Sequence, residues 1–243
     1  MPLPPTFEAR LVQNRVISPM VRELTFERLD GAPFQFEAGQ WVSLILPLPT
    51  GELRRSYSIA SPPSNSPRFE LAITHVDGGP GSSYLHELGP GSKLKVIGPQ
   101  GFFTHPLDRS RPSLFIGTGT GVTPLRSMMH AAIASSHKLP MWLIYGMRHE
   151  HDILYRDEFE RLARDNSNVR VEFTLSQGDA SWRGRRGYVQ TQVEELWHEL
   201  AAAGEGAPHA YICGLQRMVG AVRDLLRKQM NVPREQVHTE RYD

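Results

Sequence analysis

The 243-residue chain has a single cysteine, Cys213. One cysteine cannot close an intrachain disulfide, which suits a reducing cytoplasm. It also falls short of the roughly four thiolates that an iron–sulfur cluster takes. Redox chemistry in this chain therefore needs an organic cofactor, or one held by His and carboxylates. Long apolar runs are missing too: none reaches the ~20 residues of a membrane span. Charge of one sign is missing as well. Lys and Arg number 27 against 26 Asp and Glu, a formal net charge of +1, so no global field points to nucleic acid or an anionic membrane. The opening Met1–Phe7 has neither a basic start nor an apolar core, so no signal peptide is expected. There is no internal repeat and no low-complexity segment. The expectation is a cytoplasmic chain that works as a monomer.

What is present divides into two halves with different grammar. Up to about Leu107 the chain reads as strands: Phe7–Ile17, Val21–Leu29, Gln40–Leu46, Arg55–Ala60, Phe69–Val76 and Lys93–Ile97, with Phe34–Glu37 a further short candidate. Pro, Gly and Asp punctuate them. Short strands at this spacing predict a small antiparallel barrel with one helix, Ser82–Leu88, inside the series. After Asp108 strands and helices alternate. Ser113–Gly117, Met141–Tyr145, Val169–Leu175, Ala210–Cys213 and Val237–Arg241 read as strands. Pro124–Ser135, the stripe Tyr155, Phe159, Leu162, the series from Val189 to Leu200 and that from Met218 to Leu226 read as helices. Such alternation predicts a parallel sheet covered on both faces. Two domains are expected, 1–108 and 109–243.

The residues with chemical character cluster in both halves. Gly117, Thr118, Gly119, Thr120, Gly121, Val122, Thr123 and Pro124 follow an apolar strand and open a helix. Glycines there let backbone approach a pyrophosphate, and the helix start offers free N–H groups with a partial positive charge. Thr118, Thr120 and Thr123 add hydroxyls, and Pro124 suits a first helical turn. An NAD fingerprint places a carboxylate at the end of the next strand; here Arg148 stands in that place. A second basic cluster runs from Trp182 to Tyr188 and includes Arg183, Arg185 and Arg186. Guanidinium forks match phosphate oxygens and a tyrosine ring can stack on adenine, which favours NADP(H). A solvated basic loop is the plain alternative, and Glu150 and Asp152 lie close by. In the first half, Arg55, Ser56, Tyr57, Ser58 and Ile59 form a strand on which Arg55, Tyr57 and Ile59 share one side. A cation, an aromatic plane and hydroxyls suit a flat, phosphate-bearing cofactor. The turn Gly78–Leu85, running into a helix, makes a second phosphate cradle.

Taken together these motifs resemble the ferredoxin–NADP⁺ reductase family, in the family's order and over essentially the whole chain. Arg55–Ser58 matches its Arg-x-Tyr-Ser flavin motif. The resemblance implies Arg55 on the flavin phosphates, Tyr57 against the isoalloxazine and Ser58 near flavin N5. Gly81, Ser82 and Ser83 resemble the second flavin-phosphate motif, and Gly98–Phe103 its Gly-Pro-x-Gly-x-Phe turn. Gly117–Pro124 matches the dinucleotide motif, and Cys213 with Gly214 the Cys-Gly pair that faces the nicotinamide. Ser176, Arg186 and Tyr188 match positions that hold the 2′-phosphate and adenine, and Arg148 a basic position of bacterial members. Two departures stand out: Gln177 occupies a place where NADP-using relatives carry Arg, and Asp243 follows the terminal Tyr242.

The resemblance implies an N-terminal antiparallel flavin-binding β-barrel and a Rossmann-like parallel-sheet domain for a nicotinamide dinucleotide. It implies FAD and NADP(H) as cofactors, and ferredoxin or flavodoxin as the partner that exchanges single electrons. Ser58, Cys213, Glu240 and Tyr242 would line the meeting point of flavin and nicotinamide. The alternatives are an NAD(P)H-dependent reductase of free flavin, the reductase component of an oxygenase system, and a nucleotide-binding regulatory module without catalysis. Blander roles exist for single residues: a buried strand-end thiol for Cys213, a solvated terminal charge for Glu240, a frayed end for Tyr242. His149, His151 and Asp152 read as a solvated loop and not a metal site, and Trp142 and Trp197 as packing.

Overall fold

The computed structural model describes residues 4–105 and 111–242. The boundary expected near Asp108 and the terminal Asp243 lie outside them. The chain forms two compact units, one of Met1–His105 with Arg126–Ala131 and one of Pro106–Leu125 with Ala132–Asp243.

The first unit contains strands β1 (Thr6–Ser18), β2 (Val21–Arg28), β3 (Trp41–Leu48), β4 (Gly51–Ser58), β5 (Arg68–Thr74) and β6 (Lys93–Gln100), with helix α1 (Pro80–Glu87) between β5 and β6. They pair antiparallel in the order β4-β3-β6-β1-β2-β5. An antiparallel bridge between Ile59 and Leu71 brings the two outer strands together, so the sheet closes as the expected barrel. Its interior is aromatic. Phe34 lies 5.3 Å from Phe7 and 4.7 Å from Phe69, ring to ring, and Phe69 stacks on Phe26. Phe34–Glu37 is not a strand: Phe34 sits on a loop, tied by its N–H to the Ser66 carbonyl, and plugs the core with its side chain. β4 begins four residues earlier than read, because Gly51–Ser56 is exposed along most of its length and lacks the apolar alternation that marks a strand.

The second unit contains β7 (Ser113–Thr118), α2 (Val122–Ala134), β8 (Met141–Met147), α3 (Arg156–Asp165), β9 (Val169–Leu175), β10 (Arg185–Arg186), α4 (Val193–Ala203), β11 (His209–Leu215), α5 (Gln216–Asp224) and β12 (Val237–Tyr242). The six strands pair parallel in the order β10-β9-β8-β7-β11-β12. The central strands β7, β8 and β11 are buried almost throughout, as a doubly covered parallel sheet requires. α4 contributes Val193, Leu196, Trp197 and Leu200 to the core. Val189 belongs to a separate short turn before that helix, and β10 is a two-residue strand that its basic composition disguised as loop. Among the described residues, no helix is long and apolar enough to cross a membrane.

Candidate cofactor sites

In the first unit the structure brings together two elements far apart in sequence. β4 delivers Arg55, and the turn before α1 delivers Gly81. A Cβ on Gly81 would stand 3.2 Å from Arg55 Cγ and 3.3 Å from methyls of Leu46 and Leu53. The close seat brings the first turn of α1 against the arginine stem. Pro80 has no N–H, and the amides that follow it in a first turn lack intrahelical partners. Those amides beside a guanidinium form a cradle with the chemistry of a pyrophosphate site. Arg55 itself is exposed, and Nη1 donates to the Arg54 carbonyl at 2.9 Å, which steers the fork without consuming it. Ser82 offers less than its type suggests. Its hydroxyl is tied to Val76 N, Val76 O and Gly79 O, so it shapes the turn. Ser83 donates its N–H to the Gly79 carbonyl, and its hydroxyl has no partner among the described residues.

Beyond Arg55, Ser56 bonds across the strand pair to Ser43 at 3.0 Å. Tyr57 packs partly buried against the barrel core, and burial pushes its phenol up to about 12 despite the opposing field of Arg55. It is therefore a neutral aromatic surface at working pH. Ser58 ends the strand, buried and opposite Trp41. Ile59 lies just beyond the strand, bridged to Leu71. Its side chain is wholly buried in the barrel core, the cluster against which Tyr57 also packs. In the Gly98–Phe103 turn, Gly101 (φ +102°) backs onto the Trp41 ring, Phe103 is buried and Phe102 is 87 % exposed.

In the second unit the site forms at the carboxyl ends of β7, β11 and β12. Cys213 lies in register with Gly117 on one side and Glu240 on the other. The loops above these strands interlock without side chains. A Cβ on Gly121 would collide with the Cys213 carbonyl, and one on Gly214 (φ +150°) would lie 2.5 Å from Thr118 Oγ1. Gly119 adopts φ +56°, and its carbonyl accepts the Tyr145 hydroxyl at 3.0 Å. Thr118, Gly119 and Thr120 are partly exposed, whereas Thr123 and Pro124 are buried. Thr123 donates to the Thr120 carbonyl at 2.8 Å, so it holds the helix start together. Thr118 Oγ1 is a buried hydroxyl with no hydrogen-bond partner among the described residues, and leaving such a group unpaired costs about 1–3 kcal/mol. An unpaired donor beside a glycine-lined helix start fits a dinucleotide phosphate.

Cys213 is fully buried. Burial pushes its thiol well above the ordinary range, Glu240 adds to this, and a hydrogen bond from Tyr242 opposes it. It is a neutral thiol and no nucleophile. The Tyr242 hydroxyl also lies 3.4 Å from Thr123 Oγ1. Cys213, Glu240, Tyr242 and the dinucleotide turn therefore form one cluster within this unit.

The basic residues sort unexpectedly. Arg148 follows β8 and is exposed, with no side-chain partner among the described residues. Its carbonyl accepts the Gln177 N–H, and the Met147 carbonyl accepts that of Ser176, so Arg148, Ser176 and Gln177 are neighbours. Arg186, expected on the 2′-phosphate, instead donates to the carbonyls of Gly178, Asp179 and Trp182 and staples its own loop. Arg185 pairs with Glu172 and Glu195. Arg183, at the exposed tip of the same loop, has no partner among the described residues. The sequence marked this cluster as basic, but which guanidinium stays free depends on loop carbonyls that no pattern reveals. Tyr188 is 66 % exposed and stands next to the end of β9. His149 and His151 stack on each other, His149 Nδ1 faces the Gln177 carbonyl, and no group of metal-ligating side chains occurs among the described residues.

Comparison with known proteins agrees with this geometry. Residues 8–105 match the oxidoreductase FAD-binding domain and residues 115–224 the oxidoreductase NAD-binding domain. Ferredoxin–NADP reductase B of Sorangium cellulosum is 59 % identical over 238 residues, 98 % of each chain. The chain belongs to the ferredoxin–NADP reductase family. It is an FAD-dependent NAD(P)H oxidoreductase. The phenol hydroxylase P5 protein of Acinetobacter pittii is 29 % identical over 97 % of this chain and 65 % of its own length. Among solved structures, the cytochrome P450 reductase GcoB of Amycolatopsis superposes with a TM-score of 0.85 at 26 % identity, over 98 % of this chain and 69 % of that one.

Proposed function

We propose that this enzyme passes reducing equivalents between NADP(H) and FAD and exchanges single electrons with a separate ferredoxin or flavodoxin. The observation that supports this most is the pair of phosphate cradles, Arg55 with Gly81 in one unit and Gly117–Gly121 in the other. Bound FAD would supply hydride exchange with nicotinamide and the release of electrons one at a time, which nicotinamide does not offer. The protein supplies placement and electrostatics. Arg55 and the α1 amides hold the flavin pyrophosphate, with Ser83 as an added donor. FMN, with one phosphate, would leave half of this cradle idle. Tyr57 offers a neutral face to the ring system, and Ser58 a hydroxyl at the strand end. The Gly117–Gly121 turn and Thr118 hold the dinucleotide phosphates, and Tyr188 stacks on adenine. Arg148, Arg183 and Ser176 read the 2′-phosphate, and Arg186 shapes their loop. Glu240 and the neutral Cys213 line the reacting end. Tyr242 competes with the nicotinamide for its place, so Tyr242→Ser is expected to tighten NADP⁺ binding and slow turnover; unchanged binding would remove that role.

The chain acts as a cytoplasmic monomer with domains near 1–108 and 109–243. The flavin should be released by heat and run as FAD on chromatography, and reduction of a cytochrome should depend on added ferredoxin and fall with salt. FMN alone, or rapid reduction of free flavin with no response to ferredoxin or flavodoxin, would overturn this reading. The P5 relative favours a second reading, electron delivery to a fixed oxygenase partner. A response to ferredoxins of unrelated systems would weigh against it.

A further inference from the structure

Helix α2 begins at the dinucleotide turn, but its residues Arg126–Ala131 belong to the first unit. Arg126 is 9 % exposed, an uncommon place for a guanidinium. Nη1 donates to Glu70 Oε2 at 2.8 Å and to the Ala60 carbonyl at 2.9 Å. The next residue, Ser127, donates its hydroxyl to the Ser61 carbonyl at 2.8 Å. The Ser61 hydroxyl accepts the Glu70 N–H at 3.1 Å, and the Ala60 N–H donates to the Glu70 carbonyl at 2.8 Å. Arg126, Ser127 and Glu70 close a network around Ala60–Ser61, two residues beyond Ser58. On the same helix, Met128 lies against Gly39, whose φ of +104° and lack of a side chain admit it. The arginine is buried and its glutamate partner half-buried; an ion pair taken out of water is a poor stabiliser compared with apolar packing, and its best attested use is to fix one arrangement among several. A directional salt bridge sets the rotation and axial position of a helix, which apolar contacts leave freer.

We propose that Arg126, with Glu70 as its anchor, is a positioning residue for the hydride exchange. Its bonds to the Ala60 carbonyl and to Glu70, with that of Ser127 to the Ser61 carbonyl, fix the segment that follows Ser58, so the Ser58 hydroxyl at the end of β4 is held in place for reaction. Arg126 touches neither cofactor. This rests on the function proposed above.

The test uses FAD-loaded protein and the variants Glu70→Gln, Arg126→Met and Arg126→Lys. Two quantities are read: the limiting single-turnover rate of flavin reduction at saturating NADPH, and amide hydrogen exchange across residues 58–61 and 122–131. Arg126→Met is expected to slow the limiting rate tenfold or more, with the NADP⁺ dissociation constant changed less than twofold. Exchange should accelerate tenfold or more in those two segments and stay unchanged in β1 and β9. Arg126→Lys should recover most of both. Glu70→Gln, nearly isosteric, should show the same signature more weakly and stands in if Arg126→Met does not fold. Limiting rates and exchange within twofold of the parent in both foldable variants would overturn the proposal. So would a loss carried wholly by the NADP⁺ dissociation constant. If the parent itself is not reduced by NADPH, the functional reading fails, and the exchange data alone decide whether Arg126 holds the segment that follows Ser58.

Discussion

The two proposed phosphate cradles are built of different materials. The barrel unit assembles its cradle from distant parts, an exposed arginine on β4 and a glycine turn before α1, touching at Gly81. The sheet unit uses one continuous turn, where backbones meet so closely that no Cβ fits at Gly121. A side-chain cradle should lose affinity gradually when its charge is removed. A backbone cradle should fail when a single methyl is added.

The largest effect is therefore expected from Gly121→Ala. The new methyl meets the Cys213 carbonyl, a backbone atom that cannot swing aside. Overpacking of this kind costs about 3 kcal/mol, roughly a hundredfold in NADP⁺ affinity. Gly119→Ala, with open space around it but φ +56°, should cost only about 1–2 kcal/mol. Calorimetric titration of NADP⁺ separates them, and FAD content should hold in both. Equal losses would mean that conformation, not close approach, governs the turn.

Arg55→Met comes next. Loss of a charge-assisted phosphate contact is worth about 1.5–3 kcal/mol, or ten- to a hundredfold in FAD affinity. NADP⁺ binding should not change. Flavin retention on dilution measures the first and titration the second.

Arg148→Gln and Arg186→Gln sharpen the comparison within the sheet unit. Arg148 is free and should discriminate, so its loss should lower the NADPH-over-NADH ratio of kcat/KM about tenfold. Arg186 donates to loop carbonyls, so its loss should raise KM for both dinucleotides together and lower Tm slightly. The reverse pattern would return the 2′-phosphate to Arg186.

How far all this was readable depends on which physical signal each feature carries. The two fold classes follow from period and punctuation, and both halves have the architecture so predicted. The site motifs lie in short runs whose backbone requirements are local, as at Gly117–Gly121. What stayed hidden depends on tertiary contacts. Phe34 plugs the barrel core from a loop, although its surroundings read as a strand. Arg186 has the composition of a phosphate ligand and the geometry of a staple. The Arg126–Glu70 pair joins residues 56 positions apart, with no pattern to announce it.

A smaller effect concerns acid stability of the sheet unit. His238 is pushed below its ordinary range by burial first and Arg111 second. Its unfolded form binds protons more readily, so its contribution is full above about pH 6.5 and fades as pH falls through the lower folded value. His238→Gln should flatten the acid limb of Tm against pH without altering FAD retention. An unchanged limb would place the titration elsewhere.

The central claim is that one chain holds FAD and NADP(H) in separate cradles and connects them chemically. Anaerobic addition of NADPH to the FAD-loaded protein, followed by flavin absorbance, tests it most directly. Bleaching is expected at one flavin per NADPH consumed, faster with NADPH than with NADH. A flavin that stays oxidised while NADP⁺ binds normally would contradict it.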